Sequence, residues 1–240
     1  MRAVEAFAAA MADPGTGSLD PGLLPERLAR ACVRSLPVDG AGITCTFHPG
    51  RRLPIGASDP EAAAAERLQF SIGEGPCVTA QTEQRMVVAA GDELAARWPV
   101  YTAQLMARTD YRGVVSVPLP GALAGVAALD VYLHRATDTA ALAADDVLAV
   151  AGEVAAALAD DLAGSGSRSL GMPAWMDEGP VAARQHVWRA VGYLVGRDGG
   201  SAGEALARLR ARAFAQDDDV ESVAVAVLDR SAPPPGDPDL

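Results

Sequence analysis

Three consecutive amphipathic segments, spread over residues 184–228, constrain the fold of this 240-residue chain most strongly. In the first segment, five apolar residues recur at the helical spacing i, i+3, i+4, i+7 and i+8: Val187, Ala190, Val191, Leu194 and Val195. Gly199 and Gly200 follow this segment. They mark its end, because glycine readily adopts the left-handed backbone conformation that terminates helices.

The second and third segments also carry helix-start signals. Ser201 is followed three residues later by Glu204, the capping-box pattern that satisfies two otherwise unpaired backbone N–H groups. Asp218 or Asp219 can cap the third segment, whose apolar face contains Val220, Val223, Ala224, Val227 and Leu228. Short helices of this kind cannot bury an apolar face alone, so we predict that the three pack as an all-α bundle.

Together the three segments resemble the ANTAR domain, a three-helix RNA-binding module of transcription antiterminators. The matching residues are Ala190-Val191-Gly192-Tyr193-Leu194-Val195, Glu204-Ala205-Leu206, Leu209-Arg210, Ala213, Val223-Ala224 and Val227. The resemblance implies that the helices pack closely at the small residues Ala190 and Gly192. It also implies that the bundle binds structured RNA, in the form of a leader with two short hairpins.

Recognition of such RNA loops requires arginines for phosphate and base contacts, with optional stacking on aromatic side chains. We expect Trp188 or Tyr193 to stack on bases if they are exposed. The candidate contact residues in the bundle are Arg184, Arg189, Arg197, Arg208 and Arg212, beside the small residues Ala190 and Gly192.

The charge of the chain favours a second interpretation of the bundle. The formal net charge is −11, and an acidic surface opposes non-specific binding of nucleic acid, because phosphate contacts need positive charge. Three consecutive aspartates, Asp217 to Asp219, add negative charge at the start of the third helix. The alternative is therefore a bundle that has lost RNA binding and mediates protein contacts or dimerisation. We expect no DNA partner.

Residues 21–162 alternate between helical and strand patterns. Helices are predicted at residues 23–36, 60–68, 98–109 and 143–162, and strands at residues 40–47, 52–57, 86–90, 113–120 and 123–133. Gly121 and Ala122 mark a hairpin between the last two strands, and Gly91–Arg97 is predicted as a loop or turn. The predicted fold class is α+β, an antiparallel sheet flanked by helices, with the all-α bundle as a separate domain.

The rest of the predicted domain organisation follows from composition. Residues 1–20 form a short helix and a loop, and the Gly- and Ser-rich residues 163–176 form a linker. The helical domain spans residues 177–230, and the proline-rich residues 231–240 form a disordered tail.

The order of elements in residues 21–162 resembles the GAF domain, a sensory fold built on an antiparallel sheet. The matching pieces are residues 38–47, Glu74-Gly75-Pro76-Cys77, Met86-Val87-Val88 before Asp92, Arg97-Trp98-Pro99, Ser116-Val117-Pro118-Leu119 and Gly125-Val126-Ala127-Ala128-Leu129. With the C-terminal segments, the resemblance extends to the two-domain GAF–ANTAR regulators of actinobacterial type. It implies a signal-responsive regulator of transcription antitermination, and it implies homodimerisation through the long helix at residues 143–162.

Cys77 is the candidate ligand-binding or redox residue of the GAF-like domain. Pro76 suits the first position of a helix, so Cys77 falls in the first helical turn, where the N-terminal field can lower the pKa of a thiol. The simpler interpretation is that Cys77 packs at the floor of a pocket. The lining of this pocket is predicted to be apolar, and a small organic ligand of unknown identity, or none, both remain open.

The chain carries no phosphate-binding loop, no HExxH and no nucleophile elbow, and its histidines and cysteines lack metal-ligand spacing. We therefore predict a regulator without catalytic activity, metal or other cofactor. The enzyme alternative is a GAF-type, thiol-dependent free methionine sulfoxide reductase using Cys32, Cys45 and Cys77. With no apolar run long enough to span a bilayer, we expect a soluble cytoplasmic protein.

Overall fold

A computed structural model describes residues 2–17, 20, 23–48, 51–165, 174–177 and 179–229. The chain forms two compact units, Met1–Val181 and Ala182–Leu240. The predicted tail at residues 231–240 and most of the predicted linker lie outside the described residues. Among the helices that are described, none is both long and apolar enough to cross a membrane.

The first unit is built on a five-stranded antiparallel sheet. Its strands are β1 (Gly40–His48), β2 (Arg51–Ala57), β3 (Val87–Ala90), β4 (Gly113–Pro118) and β5 (Ala127–Leu133). The strand order is β2-β1-β5-β4-β3. The predicted hairpin between β4 and β5 is confirmed, and its connection contains a short 3₁₀ helix at Gly121–Leu123.

Helices cover both faces of this sheet. They are α1 (Arg2–Ala12), α2 (Leu24–Ser35), α3 (Pro60–Ile72), α4 (Pro76–Glu83), α5 (Gly91–Arg97), α6 (Pro99–Arg108), α7 (Ala144–Ser165) and α8 (Ala174–Asp177). Helices α1, α2 and α7 pack on the face that is apolar throughout, and helices α3, α4 and α6 pack on the other. The predicted α+β class is confirmed.

The apolar face shows why strand alternation specifies the fold. Successive side chains of a strand point to opposite faces, and Ile43, Leu129, Val131 and Val115 all point to the α1, α2 and α7 side. Each of these residues is at most 2% exposed. The predicted stripe of the long helix, from Val147 to Leu158, is buried in the same core.

Three helices form the second unit: α9 (Gly179–Asp198), which begins just before it, α10 (Ala202–Gln216) and α11 (Val220–Asp229). The predicted capping box is confirmed, because the Ser201 hydroxyl accepts from the Glu204 N–H and the Glu204 carboxylate accepts from the Ser201 N–H. Each helix buries the apolar stripe that its sequence predicts, apart from Val195 and Leu228, which are half-buried.

Three local predictions were wrong. The strand predicted at residues 123–133 begins only at Ala127, because Gly121–Leu123 form a 3₁₀ helix. Gly91–Arg97 forms helix α5 instead of a loop; its first turn carries Asp92 and Glu93 and its last turn carries Arg97, charges that favour a short helix through its dipole. Helix α3 does not end at residue 68, as predicted, but continues to Ile72. Gly73, in the left-handed conformation, then terminates it.

Candidate functional site

The second face of the sheet carries polar side chains at its centre. Ser116 on β4 lies directly opposite Asp130 on β5, which in turn lies opposite Gly42 on β1. Ser116 and Asp130 are fully buried beneath the helices α3, α4 and α6. We use the name acidic cluster for the buried polar residues gathered here: Thr44, Glu66, Gln69, Tyr101, Ser116, Asp130 and Tyr132.

Helix α3 delivers Glu66 to the acidic cluster. The Glu66 carboxyl group accepts a hydrogen bond of 2.7 Å from the Thr44 hydroxyl and one of 2.6 Å from the Tyr132 hydroxyl. It occupies the space above Gly42, where an added Cβ would lie 2.3 Å from Glu66 Oε1. Glycine is therefore required at position 42 to admit this carboxyl group.

Gln69, one turn further along α3, joins the cluster to the start of α4. Its Nε2 donates to Asp130 Oδ2 at 2.8 Å and to the Tyr132 hydroxyl at 3.2 Å. Its Oε1 accepts from the Cys77 backbone N–H at 2.9 Å. Gly75 permits this approach, because it has a φ of 142° and a Cβ there would meet Gln69 Oε1.

Burial sets the protonation of the two carboxyl groups. It raises the pKa of Glu66 well above its ordinary value, and the neighbouring Asp130 carboxyl raises the pKa of Glu66 further. Burial also raises the pKa of Asp130, and its polar neighbours partly offset this effect. Two carboxylates this close in a buried site disfavour simultaneous ionisation, so the pair retains a proton.

The acidic cluster also contains polar atoms with unused hydrogen-bonding capacity. Ser116 Oγ, Tyr101 Oη and Asp130 Oδ1 make no well-aligned hydrogen bond within the described residues, although Ser116 lies within reach of Asp130 and Tyr101 within reach of Tyr132. All three residues are fully buried. Buried polar atoms are normally satisfied by protein, water or ligand, and here the nearest partners are the other side chains of the cluster.

The predicted RNA-contact residues of the second unit fall into three environments. Arg184 is buried and its Nε donates to Glu221 Oε1 at 3.1 Å, which ties α9 to α11. The prediction of Arg184 as an RNA contact is therefore wrong, because its guanidinium supports the bundle core. Arg189, by contrast, is exposed.

Ala190 and Gly192 also differ from each other. Ala190 is fully buried, which agrees with close packing of the helix. Gly192 is exposed, and a Cβ at this position would meet nothing within 4 Å. The expectation of close packing at Gly192 is wrong.

Two of the predicted arginines converge on one carboxylate at the end of α9. Arg197 donates to Asp198 through Nε at 2.6 Å and through Nη2 at 2.8 Å, and Arg208 on α10 approaches Asp198 at 3.3 Å. The Arg197 guanidinium also lies 5.5 Å from the centre of the Tyr193 ring. Arg212 follows Arg208 by one helical turn and is half-buried.

The three consecutive aspartates have a structural use at the α10–α11 turn. Asp217 adopts the left-handed conformation that ends α10, with a φ of 50°. Asp219 caps α11, because its Oδ1 accepts from the Ser222 N–H at 2.6 Å. Asp217 and Asp219 thus have structural roles in helix termination and capping at this turn.

Comparison with solved structures identifies the architecture of the first unit. The GAF domain of a phosphoenolpyruvate-protein phosphotransferase from Coxiella burnetii is similar at a TM-score of 0.50 and 13% sequence identity, over 69% of this chain and 98% of that domain. The corresponding domain from Acinetobacter aligns at a TM-score of 0.45 and 10% identity, over 68% of this chain and 97% of that domain. The first unit has the GAF fold. No family model and no curated protein matches the chain.

Cys77 lies against the acidic cluster of the GAF unit, in the first turn of α4 as predicted. It is 1% exposed, and burial raises the pKa of its thiol, as do the nearby Asp130 and Glu66 carboxyl groups. The expectation of a lowered thiol pKa is wrong, because desolvation and two acidic neighbours outweigh the helix N-terminal field. The location of Cys77 agrees with the simpler interpretation, a side chain packed at the floor of a site.

The acidic cluster itself was not predicted from the sequence, where the pocket lining is expected to be apolar. Glu66 and Asp130 are 64 positions apart, and their proximity depends on the packing of α3 over the sheet. A local signal did exist, because Asp130 is the one charged residue on a strand of aliphatic residues and Tyr132, and Gly40 and Gly42 alternate on β1.

Proposed function

We propose that this chain is a signal-responsive regulator of transcription antitermination, in which the GAF unit takes in a signal and the helical unit binds structured RNA. The observation that carries the proposal is the combination of a GAF fold that buries a polar cluster with a second, helical unit that carries exposed arginines. The resemblance of that helical unit to the ANTAR domain supplies the RNA class, a leader with two hairpins.

The sensory role is supported by the position and chemistry of the acidic cluster. It is enclosed between the sheet and the helices α3, α4 and α6, and Gln69 connects it to the segment that leads into α4. A ligand that engages Asp130 would compete for or reinforce the Gln69 contacts. Such a ligand would therefore move the backbone at Cys77, and binding at the cluster would change the conformation at the start of α4.

The RNA-binding role is supported by three arginines of the helical unit: Arg197 and Arg208, which are exposed, and Arg212, which is half-buried. Arg208 and Arg212 stand one turn apart on α10, and Arg197 shares Asp198 with Arg208. Phosphate groups can replace Asp198 as the partner of both guanidinium groups, since arginine binds phosphate and carboxylate with the same geometry. Within residues 182–229 six arginines stand against seven carboxylates, so binding would depend on this local arrangement instead of on net charge.

The second candidate role for the helical unit is protein contact, and two exposed apolar side chains favour it. Phe214 on α10 is 64% exposed and Val225 on α11 is 40% exposed. Exposed aromatic side chains are often interaction sites. For the expected homodimer, most of the apolar stripe of α7 is already buried in the GAF core, which leaves Leu148 and Leu162 as its exposed apolar residues.

The methionine sulfoxide reductase alternative requires cysteines that can react with one another. Cys32 and Cys45 belong to the core on the α2 side of the sheet, whereas Cys77 lies on the other side with the acidic cluster. Burial raises the pKa of Cys45 to about 12. These positions disfavour a cooperating trio, and thiol-dependent turnover of free methionine sulfoxide is the assay for it.

The test of RNA binding is a gel shift with the full chain, a two-hairpin leader RNA and a scrambled RNA of equal length. We expect a shift with the leader RNA that the scrambled RNA does not give, and loss of this shift in the double variant Arg208→Ala, Arg212→Ala. The matched control is Arg135→Ala, an exposed arginine of the GAF unit that should leave the shift unchanged.

Failure of the full chain to bind the leader RNA would sink the RNA-binding role and leave protein contact as the better candidate. In that case Phe214→Ser should change the oligomeric state measured by sedimentation, because this side chain is largely exposed.

A further inference from the structure

The acidic cluster connects a pair of carboxyl groups to the start of a helix, and this connection indicates which signal the GAF unit would take in. The inference rests on the proposed sensory role. Glu66 and Gln69 lie one turn apart on α3, so a displacement of the Glu66 carboxyl group also acts on Gln69. Gln69 in turn holds both the Asp130 carboxyl group and the Cys77 backbone N–H.

Within the pair, Glu66 is the residue that carries the proton. Burial raises the pKa of Asp130, and four side-chain donors partly offset this effect by favouring its ionised form. These donors are Ser116, Glu66, Cys77 and Gln69. Burial and the charge of Asp130 both raise the pKa of Glu66, so the protonated Glu66 carboxyl group donates to the Asp130 carboxylate.

Gln69 supplies the cap of α4. The N-cap residue of this helix is Gly75, which has no side chain and makes no capping hydrogen bond. Gln69 Oε1 takes this place, because it accepts from the Cys77 backbone N–H at 2.9 Å. The cap of α4 therefore belongs to a residue of the preceding helix, and α4 loses it when Gln69 moves away.

The segment between α3 and α4 is suited to such a movement. It consists of Gly73, Glu74 and Gly75, and the two glycines have φ angles of 82° and 142°. Glycine exchanges between positive and negative φ more readily than any other residue. Rotation about these two glycines changes the direction in which α4 begins, so the segment can act as a hinge.

We propose that the acidic cluster is a proton-operated latch: protonated Glu66 keeps Gln69 on Asp130 and Cys77, and loss of its proton releases Gln69 and frees the start of α4. Two carboxylates that face each other in a buried site repel each other. Movement of ionised Glu66 towards solvent relieves this repulsion, and its turn of α3 moves with it. Gln69 is then withdrawn from both of its partners.

The direction of the pH response follows from the proton balance. In the latched form Glu66 retains its proton, whereas in the open form its carboxyl group is solvated and ionises near its ordinary pKa of 4.5. Opening therefore breaks one carboxyl O–H bond and passes the proton to water, so a rise in pH favours the open form.

The other ionisable groups around the pair do not compete with Glu66 for this role. They are Tyr132 on β5, Tyr101 on α6 and Cys77 on α4, with Arg52 of β2 acting on Cys77. Burial raises the pKa of both tyrosines and of the thiol well above their ordinary values. These three groups therefore stay neutral while Glu66 loses its proton.

The experiment is pulsed alkylation of the full chain with iodoacetamide over a series of pH values, with the labelling of each cysteine measured by mass spectrometry. Cys77 reports the opening of α4. Cys45, which is buried in the core on the other face of the sheet, reports global unfolding. The ratio of the Cys77 to the Cys45 labelling rate cancels the pH dependence that the two thiols share. We expect this ratio to rise by up to about tenfold per pH unit, the limit for release of one proton.

Variants locate the effect. Glu66→Gln keeps the hydrogen bonds of the protonated carboxyl group but does not ionise, so its ratio should stay low at every pH. Gln69→Leu removes the cap of α4, and its ratio should already be raised by about fivefold at neutral pH. The exposed Asp110→Asn is the matched control and should show the same rise as the unaltered chain.

A ratio that does not change with pH in the unaltered chain would overturn the proposal, and so would an equal rise in Glu66→Gln. If Glu66→Gln fails to fold, Thr44→Val takes its place. This variant keeps the shape of the side chain and removes a hydrogen bond that favours ionised Glu66, so the rise should move to higher pH. A rise at the same pH as in the unaltered chain would contradict the latch. The measurement uses no RNA, so a negative result here is separate from a negative gel shift, which concerns the helical unit.

Discussion

The two units of this chain place their charged side chains in opposite surroundings. In the GAF unit, Glu66 and Asp130 are buried and hydrogen-bonded to neutral groups. In the helical unit, Arg197 and Arg208 are exposed and share the carboxylate of Asp198. Burying an uncompensated charge costs several kcal/mol, whereas an exposed ion pair contributes little. Changes in the acidic cluster should therefore alter stability, and changes to the exposed arginines should alter binding alone.

The largest effect on stability is expected from Gly42→Ala. The new Cβ would lie within about 2.5 Å of the Glu66 side chain and would force it out of its bonds to Thr44 and Tyr132. We expect a loss of about 3 kcal/mol in the free energy of unfolding, measured by urea denaturation. The control is Gly152→Ala on α7, which meets nothing within 4 Å and should be neutral or stabilising. Equal stability of the two variants would mean that Glu66 is not held as described.

The second-largest effect on stability is expected from Arg184→Ala. Arg184 is an exception to the comparison above, because it is a buried charge within the helical unit. Arg184→Ala leaves Glu221 without this partner, and we expect a loss of about 2 kcal/mol in the free energy of unfolding. Arg189→Ala, an exposed arginine on the same helix, should leave stability unchanged. Helical circular dichroism during urea denaturation measures both. If the two variants were equally stable, the ion pair between α9 and α11 would not support the bundle.

The pH dependence of stability sharpens the comparison. Burial raises the pKa values of Glu66 and Asp130 above their ordinary 4.5 and 3.8, so the pair in the folded chain retains at least one proton. The unfolded chain loses its protons first, so the free energy of unfolding should fall as the pH rises above about 4. Each retained proton contributes a slope of at most about 1.4 kcal/mol per pH unit.

Glu66→Gln preserves the size of the side chain and removes one titrating group, so its stability should fall less steeply with pH than that of the unaltered chain. Asp110→Asn, an exposed carboxyl group, should retain the original slope. Denaturation curves at several pH values measure the slopes. Identical slopes for Glu66→Gln and the unaltered chain would show that Glu66 holds no proton in the folded state.

Much of this fold could be predicted from local sequence. Strand alternation, the hairpin before Ala127–Leu133, Pro76 at the start of α4 and the Ser201–Glu204 capping box all depend on neighbours within a few residues. The short helix Gly91–Arg97 was predicted as a loop, because seven residues carry too little periodicity to separate a helix from a turn.

The candidate site was harder to predict, because it depends on contacts between distant residues. Arg184 has the same local appearance as Arg189 on one helix, and only the packing of α11 distinguishes a buried ion pair from an exposed charge. Cys77 was placed correctly at a helix start, but the sign of its pKa shift depends on Asp130 and Glu66, which no local pattern connects to it.

The most direct test of the central claim, that the helical unit binds structured RNA, is the affinity of the full chain for the two-hairpin leader RNA measured by fluorescence anisotropy across a salt series. The account predicts that binding weakens as salt rises, because phosphate contacts release counterions, and that Arg212→Ala reduces the slope of log affinity against log salt by about 1. Binding with the same slope in Arg212→Ala and Arg208→Ala, or no binding at any salt concentration, would contradict it.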